Sequence, residues 1–148
     1  MRNAESAPTI STRGGNLRER TKAFALAVVR FVETLPRTRT GEVIGRQLLR
    51  AGTSVGANYR AACRSRSRRE FVAKLGIVEE EADECSYWLE TVMELELSHP
   101  DRADVLRKEA DQLVAIVIAS IRTARMRTRP TKASTTIPHS ALPIPHSV

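Results

Sequence analysis

Five arginines crowd one short stretch of the chain, RAACRSRSRR: Arg60, Arg64, Arg66, Arg68 and Arg69. A guanidinium is planar, always charged, and pairs with phosphate oxygens through a two-pronged fork. The chemistry such a block can do is phosphate binding, and nucleic acid is the obvious source of phosphate. The plainer reading is a solvated, charged turn that pairs with acidic neighbours in this subunit or another. No aromatic residue interleaves the arginines, so nothing within the block itself could stack on bases as a sequence-specific single-strand reader does. A second basic group follows near the C-terminus: Arg122, Arg125, Arg127, Arg129 and Lys132. Arg125, Arg127 and Arg129 read as an electrostatic arm for nucleic acid, against compensation of a helix dipole followed by a solubilising tail.

A third constellation is Arg50, Asn58, Lys74, Glu81 and Glu84. These residues sit beside apolar seams, where a lone charge is costly. They are expected to form a paired polar network that fixes register between two helices. Lys74 and Glu81 lie two helical turns apart, so their partners belong on another helix or another subunit. A ligand pocket built from Arg50, Lys74, Glu81 and Glu84 is the rival reading.

Catalytic chemistry finds little support. A nucleophile–base pair needs a positioned histidine, and His99, His139 and His146 all fall in a loop or the tail. There is no glycine-rich phosphate loop or dinucleotide fingerprint. Metal sites in helical bundles take carboxylates with helical histidines, and the acidic residues here have no such partner. The expectation is a protein with no catalytic residues, no metal and no cofactor.

These groups must be positioned by helices. The apolar residues Phe71, Leu75, Val78, Ala82, Cys85, Leu89 and Val92 recur at steps of four and three, a coiled-coil type of seam. A flanking stripe, Lys74, Ile77, Glu81, Glu84, Trp88 and Leu95, predicts that this helix, about residues 68–97, touches more than one neighbour. Ser67 is its expected cap, with Glu70 completing a capping box. The preceding helix, about residues 42–63, carries Ile44, Leu48, Ala51, Val55 and Ala62 in the same rhythm. Glycine inside a helix costs roughly 1 kcal/mol against alanine, so Gly52 and Gly56 predict close approach of another helix. A first helix, about residues 17–35, presents Leu17, Phe24, Val28, Phe31 and Leu35. Asn16 caps it, and Pro36 stops it because the residue before proline avoids the α region. A fourth, about residues 101–127, has Leu106, Ala110, Leu113, Val117 and Ile121. Its acids come first and its arginines last, as the helix dipole favours.

The chain has 148 residues, 41% hydrophobic but only 4% aromatic, which fits one domain with an aliphatic core. The fold class expected is all-α: an antiparallel up-down-up-down four-helix bundle over residues 16–129, because short connectors make sequential helices antiparallel neighbours. Residues 1–15 read as a disordered leader, and residues 130–148, with the tetrapeptide IPHS twice, as a disordered proline-rich tail. The net charge is +7, yet the chain is polarised. Five of its 24 basic residues lie from Arg122 onward, where there is no acid, so the remainder is close to balanced. Two cysteines make no disulfide framework. No apolar run reaches membrane-spanning length, and no signal-peptide pattern opens the chain. A cytoplasmic location without membrane partners is the expectation.

Two stretches, QLLRAGTSVGANYRAA and RSRREFVAKLGIVEEEADECSYWLE, resemble a bacterial family. It is the four-helix-bundle family that includes proteins encoded in intervening sequences of large-subunit ribosomal RNA genes. The accessory variability-determinant proteins of diversity-generating retroelements look like relatives. The resemblance rests on Gln47, Leu48, Arg50, Ala51, Ser54, Ala57 and Asn58, then on Glu70, Phe71, Lys74, Leu75 and Ile77. It continues through Glu81, Ala82, Glu84, Tyr87, Trp88, Leu89 and Glu90. It covers about Leu17 to Arg127 and leaves out the leader and the tail. It implies a four-helix bundle that assembles as a homopentameric ring, with no established catalytic activity. For the retroelement relatives it implies binding to nucleic acid, RNA or DNA, and to a reverse transcriptase. A protein-interaction scaffold without a nucleic-acid role is the alternative.

Overall fold

The computed structural model describes residues 16–127, and these form four α-helices joined by short turns. Helix α1 spans Leu17–Val32, α2 Arg39–Cys63, α3 Arg68–Glu94 and α4 Pro100–Met126. No strand occurs among the described residues. The expected leader and the whole expected tail, including His139, His146 and both IPHS repeats, lie outside the described residues, as does Arg129.

Local chemistry sets each helix end. Asn16 Oδ1 accepts from the Arg18 amide at 3.0 Å. Thr38 Oγ1 accepts from the Gly41 amide at 3.1 Å, so α2 begins three residues before the expected start at Glu42. Ser67 Oγ accepts from the Glu70 amide at 3.1 Å. The Glu70 carboxylate reaches one residue beyond the capping-box pattern and accepts from the Arg66 amide at 3.1 Å. Three otherwise orphaned helix-start donors thereby find oxygen partners. At the end of α3, the Leu97 amide bonds Val92 O and the Glu96 amide bonds Met93 O. That is a Schellman closure, and Glu96 takes the left-handed position at φ 52° that glycine usually fills. The helix therefore stops before Leu97, where the apolar period alone would carry it.

Each helix buries most of the face its spacing predicts, while Leu17 at the start of α1 and Phe71 at the start of α3 are only half-buried. Phe24, Val28 and Phe31 of α1 meet Leu48, Ala51 and Val55 of α2. Leu75, Val78, Ala82, Cys85, Leu89 and Val92 of α3 meet Ala110, Leu113 and Val117 of α4. Each fully buried leucine or phenylalanine contributes roughly 1.5–3 kcal/mol, so this continuous core is the main stabilising term. Burial pushes the Cys85 thiol up to about 12, which makes it an inert small hydrophobe.

Packing runs around the bundle from α1 to α2 to α3 to α4, and α1 closes only lightly onto α4. The small-residue face of α2 has the reason its glycines required. A Cβ on Gly52 would stand 2.6 Å from Val28 Cγ1 and 2.9 Å from Val28 Cβ. The α1 and α2 backbones approach closely there. At one end of the bundle, the α1–α2 and α3–α4 turns are tied by the hydroxyls of Thr34 and Ser98 at 2.6 Å. At the opposite end lie the α2–α3 turn and the C-terminus of α4.

Candidate nucleic-acid interface

The arginine turn and the basic end of α4 meet because of topology. With successive helices antiparallel, the end of α2, the start of α3 and the end of α4 share one pole of the bundle. Arg66 from the α2–α3 turn, Arg68 at the start of α3 and Arg127 after α4 line one open cleft of about 810 Å³. The cleft floor includes Phe71, Ile116 and Ala124, and its lining contains no carboxylate. On the neighbouring side, Arg60 shares a groove between α1 and α2 with Arg18, Lys22 and one acid, Glu19. Arg64 on the turn and Arg69 in the first turn of α3 are exposed and line neither hollow. Arg125 is exposed in the last turn of α4. Arg129 is outside the described residues.

Side chains of Arg60, Arg64, Arg66, Arg68, Arg69 and Arg127 are exposed and form no ion pair among the described residues. The one acid in the first turn of α3, Glu70, is occupied by the Arg66 backbone. Guanidinium groups without internal partners at the pole of a bundle create a local positive field that attracts polyanions.

The polar network joins fewer of its expected members. Arg50 on α2 spans to α3, with Nη1 3.1 Å from Glu81 Oε2 and Nη2 2.5 Å from Glu84 Oε1. Trp88 Nε1 also donates to Glu84 Oε1 at 3.2 Å. The Glu84 carboxyl is held below the usual carboxylate range, chiefly by the Arg50 hydrogen bond, against partial desolvation that works to raise it. The Arg50 guanidinium is raised in turn, first by its bond to Glu84. Asn58 is a correction to the expected set. Its Nδ2 donates to Ser54 O one turn back at 2.9 Å, so its amide is satisfied within α2. Lys74 makes no ion pair among the described residues. Two helical turns place it about 10 Å from Glu81 along the axis. Arg50, level with the two acids, takes both prongs.

Sequence reasoning missed a buried pair. Arg20 Nε donates to Glu109 Oε1 at 2.6 Å and Nη2 to Glu109 Oε2 at 2.9 Å. Arg20 also reaches Gln112 Oε1 at 2.6 Å. Glu109 is only 4% exposed. The signal was present in the apolar stripe of α4, where Glu109 adjoins Ala110 and sits three residues from Leu106. It also missed Arg18 and Lys22 as basic neighbours of Arg60, since nothing local links α1 to the end of α2. Cys63 and Cys85 are free thiols. No described helix is long and apolar enough to cross a membrane.

A family model described as 23S rRNA-intervening sequence protein matches residues 16–119. One similar crystal structure, at 1.70 Å, is of a protein with unknown function from the S23 ribosomal protein family of Bacteroides thetaiotaomicron VPI-5482. The sequences are 30% identical, the TM-score is 0.68, and the match covers 72% of this chain and 99% of that one. No curated protein matches the chain.

Proposed function

The chain belongs to the 23S rRNA-intervening sequence protein family, and we propose that it is a non-enzymatic, oligomeric protein that binds RNA or DNA phosphates through its arginine-bearing pole. The observation that carries this reading is the convergence of Arg66, Arg68 and Arg127 on one cleft without carboxylates. Arg60 with Arg18 and Lys22 extends the basic surface around the same end. Such a surface supplies affinity through counterion release and does not by itself read sequence.

Assembly as a homopentamer is part of the proposal. On α3, Ile77 is 37% exposed and Tyr87 59%, Leu95 just after it is 53% exposed, and Leu49 of α2 is 36% exposed. Apolar side chains left at the surface of a four-helix core favour a second layer of contacts. A ring would repeat the arginine pole around its axis and turn a modest patch into a charged rim. A reverse transcriptase is proposed as a protein partner of such a rim, and the two free thiols fit a reducing, cytoplasmic setting.

The test is binding of purified full-length protein to structured RNA and to duplex DNA across a salt series, with its mass in solution measured alongside. Affinity that falls steeply with salt, and drops when Arg64, Arg66, Arg68 and Arg69 are neutralised together, supports the reading. A well-folded oligomer that binds neither nucleic acid at low salt refutes it. The same exposed apolar residues would then favour a scaffold that meets protein partners instead.

A further inference from the structure

The cleft at the arginine pole differs in chemistry from a flat phosphate-binding patch. Its lip carries the guanidinium groups of Arg66, Arg68 and Arg127, which are donors only. Its floor is apolar and includes the ring of Phe71, which is half-buried in the cleft. Its α4 wall carries two hydroxyls whose protons are already committed. Ser120 Oγ donates to Ile116 O at 2.9 Å, and Thr123 Oγ1 donates to Ala119 O at 3.0 Å. Both hydroxyls keep lone pairs to accept a hydrogen bond. The hydroxyl of Ser65, also in the lining, has no partner among the described residues.

Donors at the rim, an aromatic and aliphatic floor, and acceptors on the wall do not suit a bare inorganic anion, which has no use for acceptors or an apolar floor. They match a nucleotide unit: phosphate at the rim, base on the floor, and amino, imino or ribose hydroxyl protons toward the wall. The cleft volume of about 810 Å³ lies within the range of small-ligand sites, roughly 300–1,000 Å³. A fully paired duplex keeps its bases stacked and cannot place one in a cleft, whereas a loop or bulge can splay one out.

We propose that this cleft seats a single unpaired nucleotide, extruded from a loop or bulge of the bound strand, with its phosphate held by Arg66, Arg68 and Arg127 and its base lying against Phe71. This deepens the proposed nucleic-acid function and rests on it. The unpaired nucleotide is the shared chemistry; RNA and DNA are its two sources. Phe71 supplies, from the next turn of α3, the aromatic face that the arginine block lacks.

The experiment uses the full-length protein at one low salt concentration. Its probes are an RNA hairpin with an unpaired loop, the DNA hairpin of the same sequence, and an RNA duplex of equal charge. Ala119 is exposed and lines the cleft, so Ala119→Trp fills the cleft and leaves every arginine in the sequence. The wild type is expected to prefer a hairpin to the duplex. Ala119→Trp is expected to weaken hairpin binding about five- to 150-fold, the range that one stacked base contributes, and to weaken duplex binding by much less, so that the preference for the hairpin is lost. Preference for the RNA hairpin over the DNA hairpin assigns the ribose hydroxyl to the wall; equal loss on both assigns the base alone. If Ala119→Trp fails to fold, Thr123→Val combined with Ser120→Ala removes the acceptors and should also cut the preference. Equal binding of hairpin and duplex by the wild type overturns the cleft inference and leaves the arginine pole standing. No binding to any probe overturns both.

Discussion

Glu109 of α4, 4% exposed, receives both prongs of the Arg20 guanidinium from α1, at 2.6 and 2.9 Å. This pair bridges the seam at which the bundle closes most lightly. A carboxylate that buried is tolerable only because two charge-assisted bonds replace its water.

Removing one partner should therefore cost more than removing both. Glu109→Ala is expected to destabilise the fold by about 1–3 kcal/mol, because it strands a half-buried guanidinium beside α4. The double change Arg20→Met with Glu109→Leu should return to within about 1 kcal/mol of the wild type. Urea denaturation of the set decides it. A double variant as unstable as the single one would show that the bonds themselves, and not the stranded charge, carry the stability.

The glycines of α2 and α3 predict opposite responses to the same substitution. Gly52→Ala adds a methyl 2.6 Å from Val28 Cγ1. Overpacking of about 1–3 kcal/mol should outweigh the helix-propensity gain of up to about 1 kcal/mol. A Cβ on Gly76 would meet nothing within 4 Å, so Gly76→Ala should stabilise by about 0.5–1 kcal/mol. Thermal melting reads both, and solution mass shows whether the open space at Gly76 belongs to a contact between copies.

The Arg50–Glu84 pair predicts a dependence on acid. Because the folded carboxyl of Glu84 titrates lower than it does in the unfolded chain, the unfolded chain takes up its proton first as pH falls. The stability this group contributes is complete above the ordinary carboxylate range and is lost as pH drops through the folded value. Asp104, held low by Lys108 and then Arg107, acts in the same direction. The melting temperature should fall below about pH 4.5, and it should fall less steeply in Glu84→Gln. Identical acid profiles for the two proteins would remove Glu84 from the account.

Arg127 belongs to the cleft but to no internal ion pair among the described residues. Arg127→Gln should leave the circular dichroism and melting unchanged. It should also reduce the slope of log affinity against log salt by about one, the effect of a single lost phosphate contact. An unchanged slope would place nucleic acid elsewhere on the surface.

Much of this architecture is written in local spacing. The α3 seam from Leu75 to Val92 and the α4 stripe from Leu106 to Ile121 are buried as their period requires. Helix caps at Asn16 and Ser67 follow from side chains that reach only a few residues. Gly52 announced a close neighbour, though not that the neighbour would be Val28.

Tertiary structure alone decided which faces meet. Arg50 takes both Glu81 and Glu84 because antiparallel packing brings them level, and the same geometry leaves Lys74 out. Asn58 turned inward to its own helix, a choice the period does not specify. Arg20 and Glu109 stand 89 positions apart in the chain, and only the closing of α1 onto α4 makes them a pair. The cleft, likewise, exists because the end of α4 returns to the α2–α3 turn. A helical period is set by 3.6 residues of local geometry, whereas the meeting of two faces depends on turn lengths, helix lengths and the packing of the whole bundle.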